Sequence, residues 1–198
     1  MDMPWDKLDV ITYSWQKVLG GEGAHGMLIL SPRAAERIEA YNPPWPMPKV
    51  FRMKSGGKLT EGLFKGETIN TPSMLCVEDC LDALLWAEKI GGAKSLRARA
   101  DTNAKTLGDW VDRSDWIGHL AADPATRSNT SMCFVFKDAK IAALPKDAQA
   151  AFAKAIATRL DKEGVANDIA FYRDAPPGLR IWTGSTVEAS DVKALLPW

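Results

Sequence analysis

The chain has 198 residues, of which 46% are hydrophobic and 25% charged, and its 25 basic side chains balance 25 acidic ones. This length fits one or two domains with a sizeable core. The neutral balance argues against the basic surface of a nucleic-acid-binding protein or an attraction to acidic membranes. Apolar runs are too short to span a bilayer, and the N-terminal residues lack a signal-peptide core, so we expect a cytoplasmic protein with no membrane partner.

Two short apolar runs near the N-terminus predict buried strands. The first covers residues 8–15 and the second Gly26–Leu30, with Lys17 two residues after the first. Glycines occupy positions 20, 21 and 23 shortly after Lys17, and they allow a backbone to approach a bulky ring closely. A lysine amine that is buried becomes a nucleophile that a cofactor aldehyde can capture. The alternative is a solvated surface charge, which is the commoner role of a lysine after a strand.

The next segment predicts one helix and two irregular stretches. Ser31 and Pro32 are typical of a helix start, and we expect this helix to run to about Tyr41. Residues 42–48 include four prolines, which exclude regular structure. Residues 51–70 form a long polar connection without a clear element, and such connections are often functional.

A strong helix is predicted after residue 70, with Thr71 as its N-cap and Pro72 at its first position. Exposed amides at such a helix start can bind an anion, although a purely structural cap is the commoner role. The helix carries an apolar face that predicts core packing, made of Met74, Val77, Leu81, Leu84 and Leu85. Glycines 91 and 92 interrupt it, and a second helix is predicted to about residue 113.

The cysteines have no zinc-type spacing, so we expect no metal site. Cys76 and Cys80 lie one helical turn apart, which predicts two buried, structural thiols, and Cys133 leaves an odd count. Free thiols fit a reducing cytoplasm.

The C-terminal part predicts an α+β domain with helices on one sheet face. The expected order is strand, strand, helix, strand, strand, helix, at residues 116–120, 132–136, 145–160, 169–172, 179–182 and 188–196. Gly164 is expected to stop the first of these helices, and Thr186 to cap the second.

Three segments resemble phosphoserine aminotransferases, which use pyridoxal 5'-phosphate (PLP). They are Ser-Trp-Gln-Lys at residues 14–17, Phe-Lys-Gly-Glu-Thr-Ile-Asn-Thr-Pro at 64–72, and Pro-Pro-Gly-Leu-Arg-Ile-Trp at 176–182. The resemblance covers essentially the whole chain and implies the α/β fold of fold-type I PLP enzymes. It aligns the chain with the C-terminal half of the family. Residues 1–92 are then the remaining part of the large PLP-binding domain, and residues 93–198 the small C-terminal α+β domain.

The resemblance also implies roles for residues near the cofactor. Lys17 would bind PLP as a Schiff base and move a proton during the reaction, and Gln16 would contact the cofactor. Asn70 and Thr71 would bind the cofactor phosphate of a partner subunit, which implies a homodimer with shared active sites.

Two arginines correspond to substrate-binding positions of the family. Arg180 would bind the substrate carboxylate, because the guanidinium fork matches a carboxylate. Arg173 would help bind a substrate phosphate, although Tyr172 stands where better-known members have a histidine. His25 and His119 are expected to have structural roles.

The implied reaction exchanges an amino group between phosphoserine and 2-oxoglutarate in serine biosynthesis, and in pyridoxine biosynthesis as well. The family's N-terminal half supplies the aromatic residue on the PLP ring and the aspartate that pairs with its pyridine nitrogen. The chain is therefore expected to be a truncated or split reading frame, or a fragment completed by another polypeptide. Two other functions stay open: a non-catalytic folding or dimerisation unit, and another fold-type I aminotransferase such as the alanine–glyoxylate type.

Overall fold

The structure is a computed structural model that describes residues 3–23 and 25–198. The chain divides into two compact units, Met1–Leu85 and Trp86–Trp198. The domain boundary that the sequence predicts after residue 92 stays a prediction. Each unit is described separately below.

The first unit begins with a two-stranded antiparallel sheet. Strands β1 (Val10–Ser14) and β2 (Gly26–Leu30) pair with Val10 opposite Leu30 and Ser14 opposite Gly26. The prediction of two strands is confirmed, but the prediction that they are buried is wrong. Most of their residues are exposed, including the apolar side chains Val10, Tyr13, Met27, Leu28 and Ile29. A two-stranded sheet leaves a face uncovered unless another layer packs on it.

Helix α1 (Pro32–Ala40) follows β2, as the sequence predicts. The Ser31 hydroxyl accepts a hydrogen bond from the Ala34 amide at 3.1 Å, which caps the helix. The same hydroxyl donates to Asp9 Oδ1 at 2.7 Å, and the Arg33 guanidinium also binds the Asp9 carboxylate. These contacts, Arg33 foremost, hold the pKa of the Asp9 carboxyl below its usual range.

A small hairpin lies within the stretch that the sequence predicts to be irregular. Its strands are β3 (Lys54–Ser55) and β4 (Lys58–Leu59). Gly56 and Gly57 form the turn with φ angles of 57° and 78°, the left-handed region in which glycine is favoured. The Gly-Gly pair was therefore a hairpin signal that the sequence analysis missed. Short 3-10 helices occupy Trp5–Lys7, Lys49–Phe51 and Glu61–Phe64.

The hairpin is tied to the C-terminal end of α1. Lys54 Nζ donates to the carbonyl oxygens of Glu39 and Tyr41 at 2.9 and 2.6 Å. The Glu39 carboxylate accepts a hydrogen bond from the Leu59 amide at 2.9 Å, which together with Lys58 lowers the pKa of Glu39. Residues 42–48 contain no helix or strand, as their prolines predict.

Helix α2 (Met74–Lys89) begins later than predicted, and the face that it buries is not the predicted one. Its buried residues are Cys76, Cys80 and Ala87, which confirms the burial of both cysteines. Burial also raises the pKa of the Cys80 thiol. The predicted core stripe is wrong, because its large members are exposed: Met74, Leu81, Leu84 and Leu85. Periodicity locates an apolar face but does not say whether this chain alone covers it.

The second unit contains a three-stranded antiparallel sheet in the order β5–β6–β7. The strands are β5 (Ile117–His119), β6 (Ser131–Phe136) and β7 (Gly178–Trp182). Four helices lie around it: α3 (Gly92–Arg113), the single turn α4 (Ala139–Ala142), α5 (Lys146–Lys162) and α6 (Ala189–Leu195). A 3-10 turn spans Pro124–Thr126.

One hydrophobic core joins the sheet to α3, α5 and α6. It includes residues from all these elements: Leu107, Val111, Ile117, Met132, Phe134, Leu179, Ile181 and Val192, with Ile156 and Leu160 packed against it. Helices α3, α5 and α6 therefore cover one face of the sheet, as predicted. Alternation along β7 then places Arg180, which lies between buried Leu179 and Ile181, on the opposite face.

Two details of the C-terminal prediction are wrong. Residues 169–172 form no strand and contribute only an isolated bridge between Ala170 and Leu179, because the chain turns at Asp168 before it meets β7. Helix α6 begins after Glu188, and no side chain caps it, so Thr186 is not its N-cap. Gly164 follows α5 with a φ of 68°, which agrees with its predicted role in ending that helix.

Candidate active site

Lys17 lies in the connection between β1 and β2, here called the lysine loop, three residues after the end of β1. The amide of Gly20 donates to the Lys17 carbonyl at 3.0 Å, and the amide of Gly21 donates to the Trp15 carbonyl at 3.1 Å. Lys17 and Gln16 are both exposed, so this chain by itself does not supply the burial that would make the amine a better nucleophile. Within residues 3–23 and 25–198, the Lys17 amine has no hydrogen-bond or ion-pair partner. It is therefore accessible to a reagent or a cofactor.

The lysine loop is joined to the start of α2. His25 Nε2 accepts a hydrogen bond from the Ser73 amide at 3.2 Å, and the His25 ring packs edge-on against Trp15 at 5.4 Å. The Cys76 thiol lies 3.5 Å from the Glu22 carboxylate and forms a second link. His25 thus has the structural hydrogen bond that the sequence predicts.

Asn70 and Thr71 precede α2 on an exposed segment of the first unit. The prediction that Thr71 caps the helix is wrong. Ser73 occupies that position, because the helix starts at Met74 and the Ser73 hydroxyl lies 3.5 Å from the Cys76 amide. The side chains of Asn70 and Thr71 are consequently free of a capping role, and both are accessible.

Arg180 lies on β7 in the second unit, opposite Cys133 of β6. Its side chain is only 13% exposed, and its Cζ lies 4.5 Å from the centre of the Tyr172 ring. Nη2 lies 3.2 Å from Asp168 Oδ2 and 3.4 Å from the Asp168 carbonyl. Nε is buried and has no hydrogen-bond partner among the described residues. One donor of the guanidinium fork is therefore unpartnered among the described residues.

Arg173 differs from Arg180 in its surroundings. Its side chain is 90% exposed and binds only the neighbouring Asp174, with Nε–Oδ1 at 3.2 Å. An exposed pair of adjacent residues constrains a side chain weakly. Arg173 is thus accessible, but this chain does not hold it in a fixed position.

His119 is packed as the sequence predicts. Its ring lies 5.5 Å from that of Phe134, and Nε2 lies 3.2 Å from Asp112 Oδ1. Burial, reinforced by the nearby charge of Arg127, lowers the pKa of His119, and Asp112 opposes this shift. Among the described residues, no cluster of acidic, histidine and cysteine side chains has the arrangement of a metal site. Across the same residues, every helix is too short or too polar to cross a bilayer.

The sequence analysis missed three residues of these sites. Ser73 and Glu22 anchor the lysine loop, and Asp168 contacts Arg180. The Asn-Asp pair at residues 167–168 was the available signal for the last, since both residue types tolerate the left-handed conformation. Contacts between residues 48 positions apart, such as His25 and Ser73, leave no such local signal.

The comparisons with known proteins agree with one another. No family model matches the chain. It is 53% identical over 200 residues to a phosphoserine aminotransferase of Methanosarcina barkeri and 52% identical over 198 residues to that of Methanosarcina mazei. Both alignments cover 100% of the chain and 51% of the relative. This chain is related to the phosphoserine aminotransferases. It spans about half the length of the curated relatives that it matches, which supports its correspondence to a C-terminal portion.

Solved structures show the same fold. A phosphoserine aminotransferase from Cytophaga hutchinsonii superposes with a TM-score of 0.76 at 18% identity, over 98% of the chain and 50% of that structure. The enzyme from Bacillus circulans subsp. alkalophilus gives 0.72 at 18% identity, over 98% and 47%. An alanine–glyoxylate aminotransferase from Nostoc sp. gives 0.69 at 17% identity, over 96% and 46%. The chain therefore has the α/β fold of fold-type I aminotransferases, as the sequence analysis expects.

Proposed function

We propose that Lys17 binds PLP, and that the protein containing this chain transfers an amino group between phosphoserine and 2-oxoglutarate. The observation that carries the proposal is the unpaired amine of Lys17, held in a loop bound to the start of α2. It is supported by 53% identity to a phosphoserine aminotransferase over the whole chain. The same relationship favours an enzyme of serine biosynthesis, and of pyridoxine biosynthesis, in the cytoplasm.

The residues of the lysine loop fit PLP. Lys17 offers an accessible primary amine, which is the group that binds a cofactor aldehyde. The loop also holds a buried donor, Trp15 Nε1, that finds no acceptor among the described residues. A buried donor without an acceptor is costly, so Trp15 Nε1 calls for an acceptor that the described residues do not supply.

In the proposed site, each residue has a role that follows from its chemistry. When bound, PLP would supply an electron sink that lets an amino group leave one carbon skeleton and join another. Lys17 would hold the cofactor through Nζ and would also carry a proton during the reaction. The Gln16 amide would contact the cofactor. The Asn70 amide and the Thr71 hydroxyl would donate hydrogen bonds to the phosphate of a partner subunit's cofactor, in a homodimer.

Substrate binding is assigned to the second unit. Arg180 offers Nε and Nη2 to a carboxylate, and its burial fixes the direction of the fork. Arg173, which is exposed, is proposed to meet the substrate phosphate. Residues 1–92 and 93–198 are proposed as the large-domain and small-domain parts.

A second candidate function is a non-catalytic unit that folds or associates with a partner. The observation that favours it is the exposed apolar surface of β1, β2 and α2. Soluble proteins rarely leave such a surface uncovered. A third candidate is the activity of the alanine–glyoxylate type. Its only support is the similarity in fold to the solved alanine–glyoxylate aminotransferase.

The test is an absorbance titration of the purified chain with PLP. Wild type should gain a visible band, and Lys17→Ala should not, whereas Lys49→Ala, which removes another exposed lysine, should behave as wild type. Borohydride reduction followed by peptide mapping should place the cofactor on Lys17. A band that survives in Lys17→Ala would reject Lys17 as the PLP-binding residue, and no band in wild type would reject PLP binding by this chain. An assay of glutamate formed from phosphoserine and 2-oxoglutarate then decides the reaction.

A further inference from the structure

The surroundings of Arg180 contain an internal carboxylate. Asp168 Oδ2 lies 3.2 Å from Arg180 Nη2, and the Asp168 main-chain oxygen lies 3.4 Å from the same nitrogen. The amide of Arg180 also donates to the Ile169 carbonyl at 2.9 Å, so the backbone next to Asp168 is held against β7. The contact between Asp168 and Arg180 is therefore built into the sheet edge.

The backbone at Asp168 supports this interpretation. Asp168 has a φ of 51°, and it is the only non-glycine residue with a positive φ among residues 3–23 and 25–198. Aspartate tolerates this region better than most residues, but the conformation still costs free energy. It places the main-chain and side-chain oxygens of one residue against the same guanidinium nitrogen.

The Asp168 carboxylate uses only part of the fork. Arginine binds a carboxylate best through two parallel hydrogen bonds, but Asp168 engages Nη2 alone and leaves the buried Nε without a partner. Since the Asp168 side chain is 87% exposed, it can swing into solvent. Another carboxylate can then bind both Nε and Nη2.

Tyr172 packs against the guanidinium. The Arg180 Cζ lies over the Tyr172 ring, 4.5 Å from its centre, within the range of a cation–π contact. Asp168 and Tyr172 therefore contact the same guanidinium group, one through an ion pair and the other through its ring.

We propose that Asp168 is a displaceable internal carboxylate that occupies Arg180 until a substrate carboxylate replaces it, and that Tyr172 is the positioning residue that holds the fork ready for the exchange. This inference rests on the proposed role of Arg180 as the carboxylate-binding residue. Asp168 then competes with the substrate carboxylate for the Arg180 guanidinium. Since the Asp168 side of this ion pair is 87% exposed, solvent weakens the pair, and the competition should change carboxylate affinity only about two- to fivefold.

The test follows the Arg180 Nε–H signal by NMR in the isotope-labelled chain, assigned with Arg180→Lys and titrated with 2-oxoglutarate. Asp168→Asn should tighten binding of this dicarboxylate by about two- to fivefold, because the competing charge is gone. Asp109→Asn is the matched control. This variant also removes one carboxylate charge, that of Asp109, which forms an exposed ion pair with Lys105 in the same unit. It should leave the 2-oxoglutarate affinity as in wild type.

Tyr172 is tested in the same titration. Tyr172→Phe keeps the ring and should preserve the wild-type affinity, whereas Tyr172→Ala should weaken it about two- to fivefold. Circular dichroism of each variant shows whether the fold is retained. Equal losses in Tyr172→Phe and Tyr172→Ala would overturn the role of the ring face.

The outcomes separate this inference from the proposed function. An affinity in Asp168→Asn equal to or weaker than wild type overturns the competition, and so does an Arg180 signal that never moves in either protein. The PLP band of Lys17 reports on the proposed function independently. Tighter dicarboxylate binding in Asp168→Asn without that band would support the internal carboxylate and reject PLP binding by this chain.

Discussion

The imidazole of His25 accepts a hydrogen bond from the main-chain amide of Ser73 at 3.2 Å, across 48 positions of sequence. His25 closes the lysine loop, and Ser73 begins α2 directly after Asn70 and Thr71. The contact therefore connects the proposed cofactor lysine with the proposed phosphate-binding pair. Neither residue was singled out for catalysis, yet their contact sets the spacing of the site.

His25→Ala should loosen this connection. Loss of the acceptor should reduce the free energy of unfolding by about 0.5–1.5 kcal/mol and speed hydrogen exchange at the Ser73 amide. His25→Gln offers a side-chain carbonyl as a replacement acceptor and should restore part of the protection. Amide exchange measured by NMR on the three proteins checks this. Unchanged exchange at Ser73 in His25→Ala would show that the contact does not order the segment.

Helix α2 has an exposed leucine face, and this predicts that polar substitutions of its leucines will cost little stability. Leu84 is 50% exposed, so Leu84→Gln should change the free energy of unfolding by less than about 0.5 kcal/mol. Leu107→Ala removes a fully buried side chain and should cost about 2–5 kcal/mol. Urea unfolding of both variants provides the comparison. A large loss in Leu84→Gln would mean that this face is covered in solution, for example by a second copy.

The sequence predicted a structural feature correctly where the signal for that feature lies in neighbouring residues. Ser31 and Pro32 gave a correct helix start because capping involves neighbouring residues. Burial of β1 and of the Leu84 face could not be predicted correctly, because it depends on which layers pack there, and the chain spans about half of its relatives. The position of Arg180 followed from family resemblance, but its contacts with Asp168 and Tyr172 depend on how a turn meets a strand.

His119 predicts how stability depends on pH. Burial lowers the pKa of His119 in the folded state below its usual value of 6.5, so the unfolded chain binds the proton more readily. The stabilising effect of the neutral imidazole is complete above that value and is lost as pH falls from 6.5 toward the folded-state pKa. The lowered pKa values of Asp9 and Glu39 act in a separate, more acidic range, below 3.8 and 4.5.

The measurement is the melting temperature of wild type and His119→Gln between pH 7.5 and 5.5. Wild type should lose stability as pH falls in this interval, and the variant should have a flatter profile. Parallel profiles would show that His119 does not contribute to the dependence.

Gly178 allows β7 to approach β6 closely, two residues before Arg180. A Cβ at this position would clash with the Phe134 carbonyl oxygen, so Gly178→Ala requires the backbone to move. We expect it to cost about 1–3 kcal/mol of stability, as overpacking in a core does. It should also displace Arg180 and weaken 2-oxoglutarate binding at its Nε–H signal.

Gly118→Ala is the matched control for this change. In β5 of the same sheet, a Cβ at residue 118 would meet only the flexible Lys137 side chain, at 3.5 Å. Gly118→Ala should therefore remain near wild type in thermal unfolding and in the 2-oxoglutarate titration, while Gly178→Ala loses in both. Equal behaviour of the two variants would contradict the close contact between β6 and β7. If Gly178→Ala loses stability but keeps the wild-type dicarboxylate affinity, the position of Arg180 does not depend on the register of β7.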